Sequence, residues 1–270
     1  YGAKWTSGHV SAQEAVRVYV RAKQTRRSVR SADLVPEEVD GVPTDVVEVG
    51  EGTPAFPRPT RCGVSGGHRA VAIGTLGCLV SSNGGGRFIL SNNHVLADGN
   101  DGPIGVEILE PALDDGGAAN NPIAHLTDFE PLRYGGAINE IDAAIAELAD
   151  PNFMSADIEI IGAVAAPPIP PVEQTSVAKH GRTTLHQLGT IVDIHADRGF
   201  LYPGHGKAYF HDQIVVTGTH RAFADRGDSG SLVVDEATRR PVGLLFAISG
   251  SAVYCNYIEK VLTRFHAALL

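Results

Sequence analysis

The stretch Arg226-Gly-Asp-Ser-Gly-Ser-Leu-Val-Val234 sets a serine between Gly-Asp and Gly, ahead of an apolar run. Such residues make a tight turn that lifts the Ser229 hydroxyl and leaves backbone N–H groups free to stabilise an oxyanion. The following Leu232-Val-Val234 anchors that turn in a core strand. A serine hydroxyl is a weak nucleophile unless a base takes its proton. One stands upstream in Ile89-Leu-Ser-Asn-Asn-His-Val95, where an apolar strand ends in small polar residues and His94. Between the two, Asp142 interrupts the apolar segment Ile141-Asp-Ala-Ala-Ile-Ala-Glu-Leu148. A buried carboxylate without a donor is costly, and the Nδ1–H of His94 is the expected donor. The alternative is an Asp that N-caps an Ala-rich helix. Together the three residues fit nucleophilic acyl transfer: nucleophile, general base and a carboxylate that orients the base.

Many short elements must position them. Ala15–Arg21 alternates apolar and other residues with the period of a half-buried strand, and residues 44–50 read as a second strand. The Pro-rich stretch 52–59 marks a boundary, so residues 1–60 are predicted to form a small N-terminal α/β element. Strands are then expected at 71–80, 87–91, 105–109 and 141–148. Ala165-Ala-Pro-Pro-Ile-Pro-Pro171 cannot sit inside a sheet and reads as a linker. Beyond it, strands are expected at 176–179, 189–194, 208–216, 231–235, 242–248 and 252–257. In the tail, Ile258, Val261, Leu262, Phe265 and Leu269 keep helical spacing, so a C-terminal helix is expected through Leu270. Two all-β halves joined by a Pro linker predict two barrels, residues 61–165 with His94 and Asp142 and residues 166–270 with Ser229.

Composition narrows the function. The chain has 270 residues, 43% hydrophobic and 20% charged, in the ordinary globular range. A net charge of −9 argues against a nucleic-acid partner. The basic cluster Arg17, Arg21, Lys23, Arg26, Arg27 and Arg30 reads as a solvated strand face and loop. No apolar run is long enough to span a bilayer, so no membrane partner is expected. Three cysteines, Cys62, Cys78 and Cys255, make no disulfide framework, which points to a reducing compartment and the cytoplasm. His195, His205 and His211 lack metal-site spacing and read as loop histidines, Gly84-Gly-Gly86 as a hairpin turn, and Asp114-Asp-Gly-Gly117 as a polar turn rather than a calcium loop. No metal and no cofactor are expected.

The chain resembles the trypsin/chymotrypsin-like clan of serine peptidases, and more closely a bacterial and plant subgroup. The resemblance rests on Asp40-Gly-Val-Pro-Thr-Asp-Val-Val-Glu-Val-Gly50, Gly74-Thr-Leu-Gly-Cys-Leu-Val80, Leu90-Ser-Asn-Asn-His-Val95, Lys179-His-Gly-Arg-Thr-Thr184 and Gly227-Asp-Ser-Gly-Ser231. The order His, Asp, Ser along the chain is that of the barrel proteases. The resemblance implies an all-β fold of two six-stranded antiparallel barrels and a serine endopeptidase acting on proteins or peptides. In it Ser229 is nucleophile, His94 base and Asp142 orienting residue, with the Gly227 and Ser229 N–H groups as oxyanion hole. It also leaves room for a regulatory protein partner or a homo-oligomer. The alternative is a silent or partner-activated barrel used as a binding module.

Three departures from animal trypsins bear on mechanism. Val95 follows the histidine where trypsins have a cysteine. No activation-type N-terminus precedes the first barrel, so Asp228 needs another partner, Arg226 or a neighbouring backbone N–H. Phe223 stands six residues before the serine, where trypsins place an acid, so an S1 pocket near Phe223, Phe246 and Ala247 is expected to take small or apolar residues. Lys179–Thr184 carries no evident chemistry and reads as a turn of the second barrel.

Overall fold

The computed structural model describes all residues except 1, 7–8, 21, 26, 49–57, 83–84 and 119–121. The chain divides into two compact units, Tyr1–Ala55 and Phe56–Leu270. The boundary falls inside 52–59, of which residues 52–57 lie outside the described residues.

In the first unit, His9–Val20 pairs antiparallel with Gly2–Thr6 and parallel with Val42–Glu48, and Glu38–Val39 completes a four-stranded sheet. The predicted α/β element is therefore corrected. Among its described residues the only helical piece is the 3-10 turn Ser31–Asp33, because the polar connection from residue 22 to 37 has no apolar stripe to bury.

The second unit holds two seven-stranded sheets. The first orders Ala267–Leu269, Cys78–Ser82, Gly85–Ser91, Ala144–Leu148, Ala124–Phe129, Glu107–Leu109 and Gly67–His68. Six of these come from the first half, and the last to be made, Ala267–Leu269, is appended from the C-terminus. In the second sheet, Gly206–Gly218 pairs with both Leu185–Tyr202 and Ala252–Tyr257, so six strands follow one another in a ring. The seventh, Ile138–Asn139, adds in parallel at Tyr209–Phe210. Each six-stranded expectation thus gains one strand, borrowed from the other half.

The borrowing has a local cause at the C-terminus. The helix Ile258–Arg264 buries Ile258, Val261 and Leu262, but His266 turns to φ +47°. That left-handed residue ends the helix, and Ala267–Leu269 continues as a strand against Cys78–Ser82. The expected helix through Leu270 is corrected accordingly. Val177, Ile191, Val216, Phe223, Leu245 and Val253 lie together in the core of the second sheet. A separate aromatic cluster gathers Tyr202, Phe210, Phe246 and Tyr254. Gly85 opens a strand as expected of a hairpin, while Gly84 lies outside the described residues.

Candidate active site

His94 sits on the single helical turn Asn93–Leu96, directly after Gly85–Ser91. Asn92 and Asn93 brace this turn. Asn92 Nδ2 donates to the Asp142 carbonyl (2.7 Å), and Asn93 Nδ2 to the Glu130 carbonyl (2.7 Å). Asp142 precedes Ala144–Leu148, which is a strand, so the N-cap alternative is excluded. Its backbone N–H donates to Asn256 Oδ1 (2.9 Å), whose own amide donates to Gln213 Oε1 (2.7 Å).

The Asp142 side chain is wholly buried and meets His94 twice. Oδ2 lies 2.6 Å from His94 Nδ1, and Oδ1 accepts the His94 backbone N–H at 3.2 Å. Oδ2 also accepts the Tyr202 hydroxyl at 2.7 Å. A carboxylate on Nδ1 leaves the proton there and turns Nε2 outward as the basic nitrogen.

Ser229 lies on the turn before Leu232–Asp235, and that turn packs against the His94 segment. A Cβ on Gly230 would fall 2.1 Å from Ser91 Oγ and 2.3 Å from the Thr75 carbonyl. Thr75 N donates to the Ser229 carbonyl (2.9 Å), and Thr75 Oγ1 to the Gly227 carbonyl (2.8 Å). Gly227 has φ +99°, a conformation that favours glycine. Among the described residues, neither Gly227 N–H nor Ser229 N–H donates a hydrogen bond, whereas Asp228, Gly230 and Ser231 N–H all do. The Ser229 hydroxyl donates to the Phe246 carbonyl at 3.4 Å. No hydrogen bond joins it to the His94 imidazole in this structure.

Asp228 is also wholly buried, and its partners correct the sequence reading. Lys179 Nζ lies 3.0 Å from Oδ2, with both side chains out of solvent. Thr183 N (2.8 Å), Thr184 Oγ1 (2.7 Å), Asp225 N (2.9 Å) and, at 3.2 Å, Thr184 N also donate to it. A neighbouring N–H does contribute, as expected. Arg226 does not: it is exposed, and its N–H turns to Asp225 Oδ1. Burial alone would raise the Asp228 carboxyl, but the Lys179 ammonium and the N–H donors outweigh it and hold the group below the usual carboxylate range.

The segment 179–184 is thus more than a turn. Its Lys179, Thr183 and Thr184 hold Asp228, His180 Nδ1 meets the Gly63 carbonyl at 2.9 Å, and Arg182 pairs with Asp115 through two bonds of 2.8 and 2.6 Å. The sequence holds the two halves of this signal far apart: an acid at 228 that needs a partner, and a basic box at 179–184 without an evident task. Asp115, of the acidic turn at 114–117, therefore serves an ion pair. Among the described residues no group of three or more His, Cys, Asp or Glu side chains is placed to hold a metal. His195 and His211 pair with Asp212 and Asp197 at the surface.

The expected S1 pocket is not assembled from the three residues named for it. Phe223 is buried in the core of the second sheet, and Phe246 packs 4.5 Å from Phe210 in the aromatic cluster. Only Ala247 is partly exposed. The reason is an irregularity between Leu245 and Ala247: Phe246 turns its carbonyl to Ser229 while its ring stays in the core.

No protein-family model matches the chain, and no curated protein matches it in sequence. Solved structures do match. Cellulomonas bogoriensis chymotrypsin is 17% identical with a TM-score of 0.54, over 78% of this chain and 98% of that one. Thermobifida fusca protease A is 16% identical with a TM-score of 0.55, over 77% and 97%. A glutamic acid-specific serine protease is 14% identical with a TM-score of 0.56, over 78% and 100%. At these identities the likeness establishes the fold, that of the trypsin/chymotrypsin-like serine proteases.

Proposed function

We propose that the chain is a serine endopeptidase. The observation that carries the reading is the buried Asp142 carboxylate bonded to His94 Nδ1 at 2.6 Å, in a loop that packs against the Gly-Asp-Ser-Gly turn. A rotation about the Ser229 Cα–Cβ bond redirects the hydroxyl from the Phe246 carbonyl, and catalytic hydrogen bonds commonly tighten only when substrate binds. Ser229 Oγ then attacks the peptide carbonyl carbon as His94 Nε2 takes its proton. The Gly227 and Ser229 N–H groups receive the oxyanion, and Asp142 stabilises the imidazolium. His94 returns the proton to the leaving amine, and water hydrolyses the acyl-enzyme by the same steps.

Lys179 supports a second part of the reading. It supplies internally the positive charge that Asp228 needs, so the turn with the oxyanion donors stands without a freed N-terminal amine. The enzyme then requires no trypsin-type zymogen cleavage.

A fluorophosphonate probe tests the assignment. It is expected to add to Ser229, and labelling is expected to vanish in Ser229→Ala and His94→Ala. Equal labelling of His94→Ala would refute the proposed base. One observation favours a second reading, a barrel that is silent until a partner binds: the Ser229 hydroxyl rests on Phe246 rather than His94. Under that reading the purified chain does not label, and labelling appears on titration with a protein partner.

A further inference from the structure

Asp142 has a third donor that neither the sequence motifs nor the fold comparison marks. Tyr202 closes the long strand Leu185–Tyr202, opposite Gly206 across a tight turn. Its hydroxyl donates to Asp142 Oδ2, the same oxygen that meets His94 Nδ1. The ring lies edge-on to the His94 imidazole, with centroids 5.8 Å apart and planes at 76°, and it stacks on Phe210 from behind.

The hairpin tip is also fastened to the loop that follows His94. His205 stacks on Tyr134 at 5.2 Å, and the Tyr134 hydroxyl donates to the Gly99 carbonyl at 2.9 Å. A Cβ on Gly99 would lie 2.8 Å from His205 Nε2, so the two segments meet without slack. His94 and Asp142 both come from the first half, and this extra donor arrives from the second.

From this geometry we infer that Tyr202 is a positioning residue for the His94–Asp142 pair. The inference rests on the serine-peptidase reading for its kinetic consequence, though not for its geometry. A carboxylate oxygen that accepts two donors is fixed in plane and direction. The Tyr202 hydroxyl therefore does two separable things: it aims Oδ2 at Nδ1, and it draws off part of the charge that Asp142 presents to an imidazolium. Burial and the Asp142 charge push the phenol well above its ordinary range, so it stays protonated and keeps a proton to donate to the carboxylate.

The two effects have different signatures in Tyr202→Phe, which keeps the ring packing. Looser aim slows the fluorophosphonate reaction of the full chain roughly tenfold at its pH optimum. A carboxylate relieved of one donor favours the imidazolium more strongly. The acid limb of the rate–pH profile is therefore expected to move up by about half a unit to one unit. Tyr134 feels the Asp142 charge and itself lies near Asp98, Asp101 and its stacking partner His205; all are unchanged in the variant. A loss confined to packing would lower the rate equally at every pH and leave the limb in place.

The test is the labelling rate from pH 4 to 9 in wild type, Tyr202→Phe and Ser229→Ala, with the low-field proton resonance of His94 Nδ1–H measured alongside. A slower reaction with a raised limb and a displaced resonance is expected. An unmoved limb and resonance would overturn the role of Tyr202 while leaving the serine-peptidase reading intact. If wild type fails to label, or Ser229→Ala labels equally, the peptidase reading fails. The resonance then decides alone: a shift in Tyr202→Phe supports the coupling, and its absence refutes it.

Discussion

Two carboxylates near the serine turn are wholly removed from solvent, and they are satisfied in opposite ways. Asp228 faces a full positive charge, Lys179 Nζ at 3.0 Å, plus backbone N–H groups and a hydroxyl. Asp142 faces His94 Nδ1, the His94 N–H and the Tyr202 hydroxyl, and among the described residues no lysine or arginine is paired to it. A buried ammonium held against its acid balances that charge in the folded state from the start, which suits a part that must not move. Donors that start neutral leave charge in reserve, which the proposed mechanism would use to stabilise an imidazolium. Burial by itself therefore says little about what an acid does; the identity of its donors says more.

The sharpest way to break this contrast is Asp142→Asn. The amide keeps the shape but inverts the preferred tautomer of His94, and a fall of roughly 10⁴ in probe reactivity is expected with the fold retained by circular dichroism. Lys179→Met comes next. It strands a buried carboxylate, which costs about 3–5 kcal/mol, measurable by denaturant unfolding. The double variant Lys179→Met with Asp228→Asn is expected to recover much of that loss.

The same pair sets an acid limit. The Asp228 carboxyl is depressed in the fold, so its stabilisation is complete above the unfolded value near 4 and is lost as pH falls through the lower folded value. Unfolding curves between pH 7 and 2 are expected to show this loss in wild type and not in the double variant. Thr75→Val has a smaller effect. It removes a buried hydroxyl that donates to the Gly227 carbonyl and accepts the Arg182 N–H, for about 1–3 kcal/mol. Smallest is Arg182→Ala, whose partly exposed pairing with Asp115 is worth about 1 kcal/mol or less.

How much of this was legible follows from where each signal resides. Ser229, His94 and Asp142 each carry a local mark: a glycine-framed turn, a strand end, a charge in an apolar run. Lys179 carries none, because its task depends on which face of Ser176–Gly181 it occupies when Asp228 arrives from nearly fifty residues on. Tyr202 beside Pro203-Gly204 reads as an ordinary hairpin aromatic until the tip is seen to reach Asp142. Phe223 draws attention by its spacing from the serine and Phe246 only by its place near the expected pocket, and an irregularity after Leu245 leaves the Phe246 ring in the core. Ala124–Phe129 carries no clear strand pattern, because His125, Thr127 and Asp128 dilute its apolar residues. At the tail, helical spacing through Leu269 concealed the reversal at His266.

That reversal has a consequence for how the molecule is built. The strand that covers Cys78–Ser82 is Ala267–Leu269, separated from it by the rest of the first half and almost the whole second half. A nascent chain holding only the first half would leave that edge open to solvent and to other strands. The edge closes only after residues 267–269 emerge, so completion of the His94-bearing sheet waits for a segment made long after His94 itself.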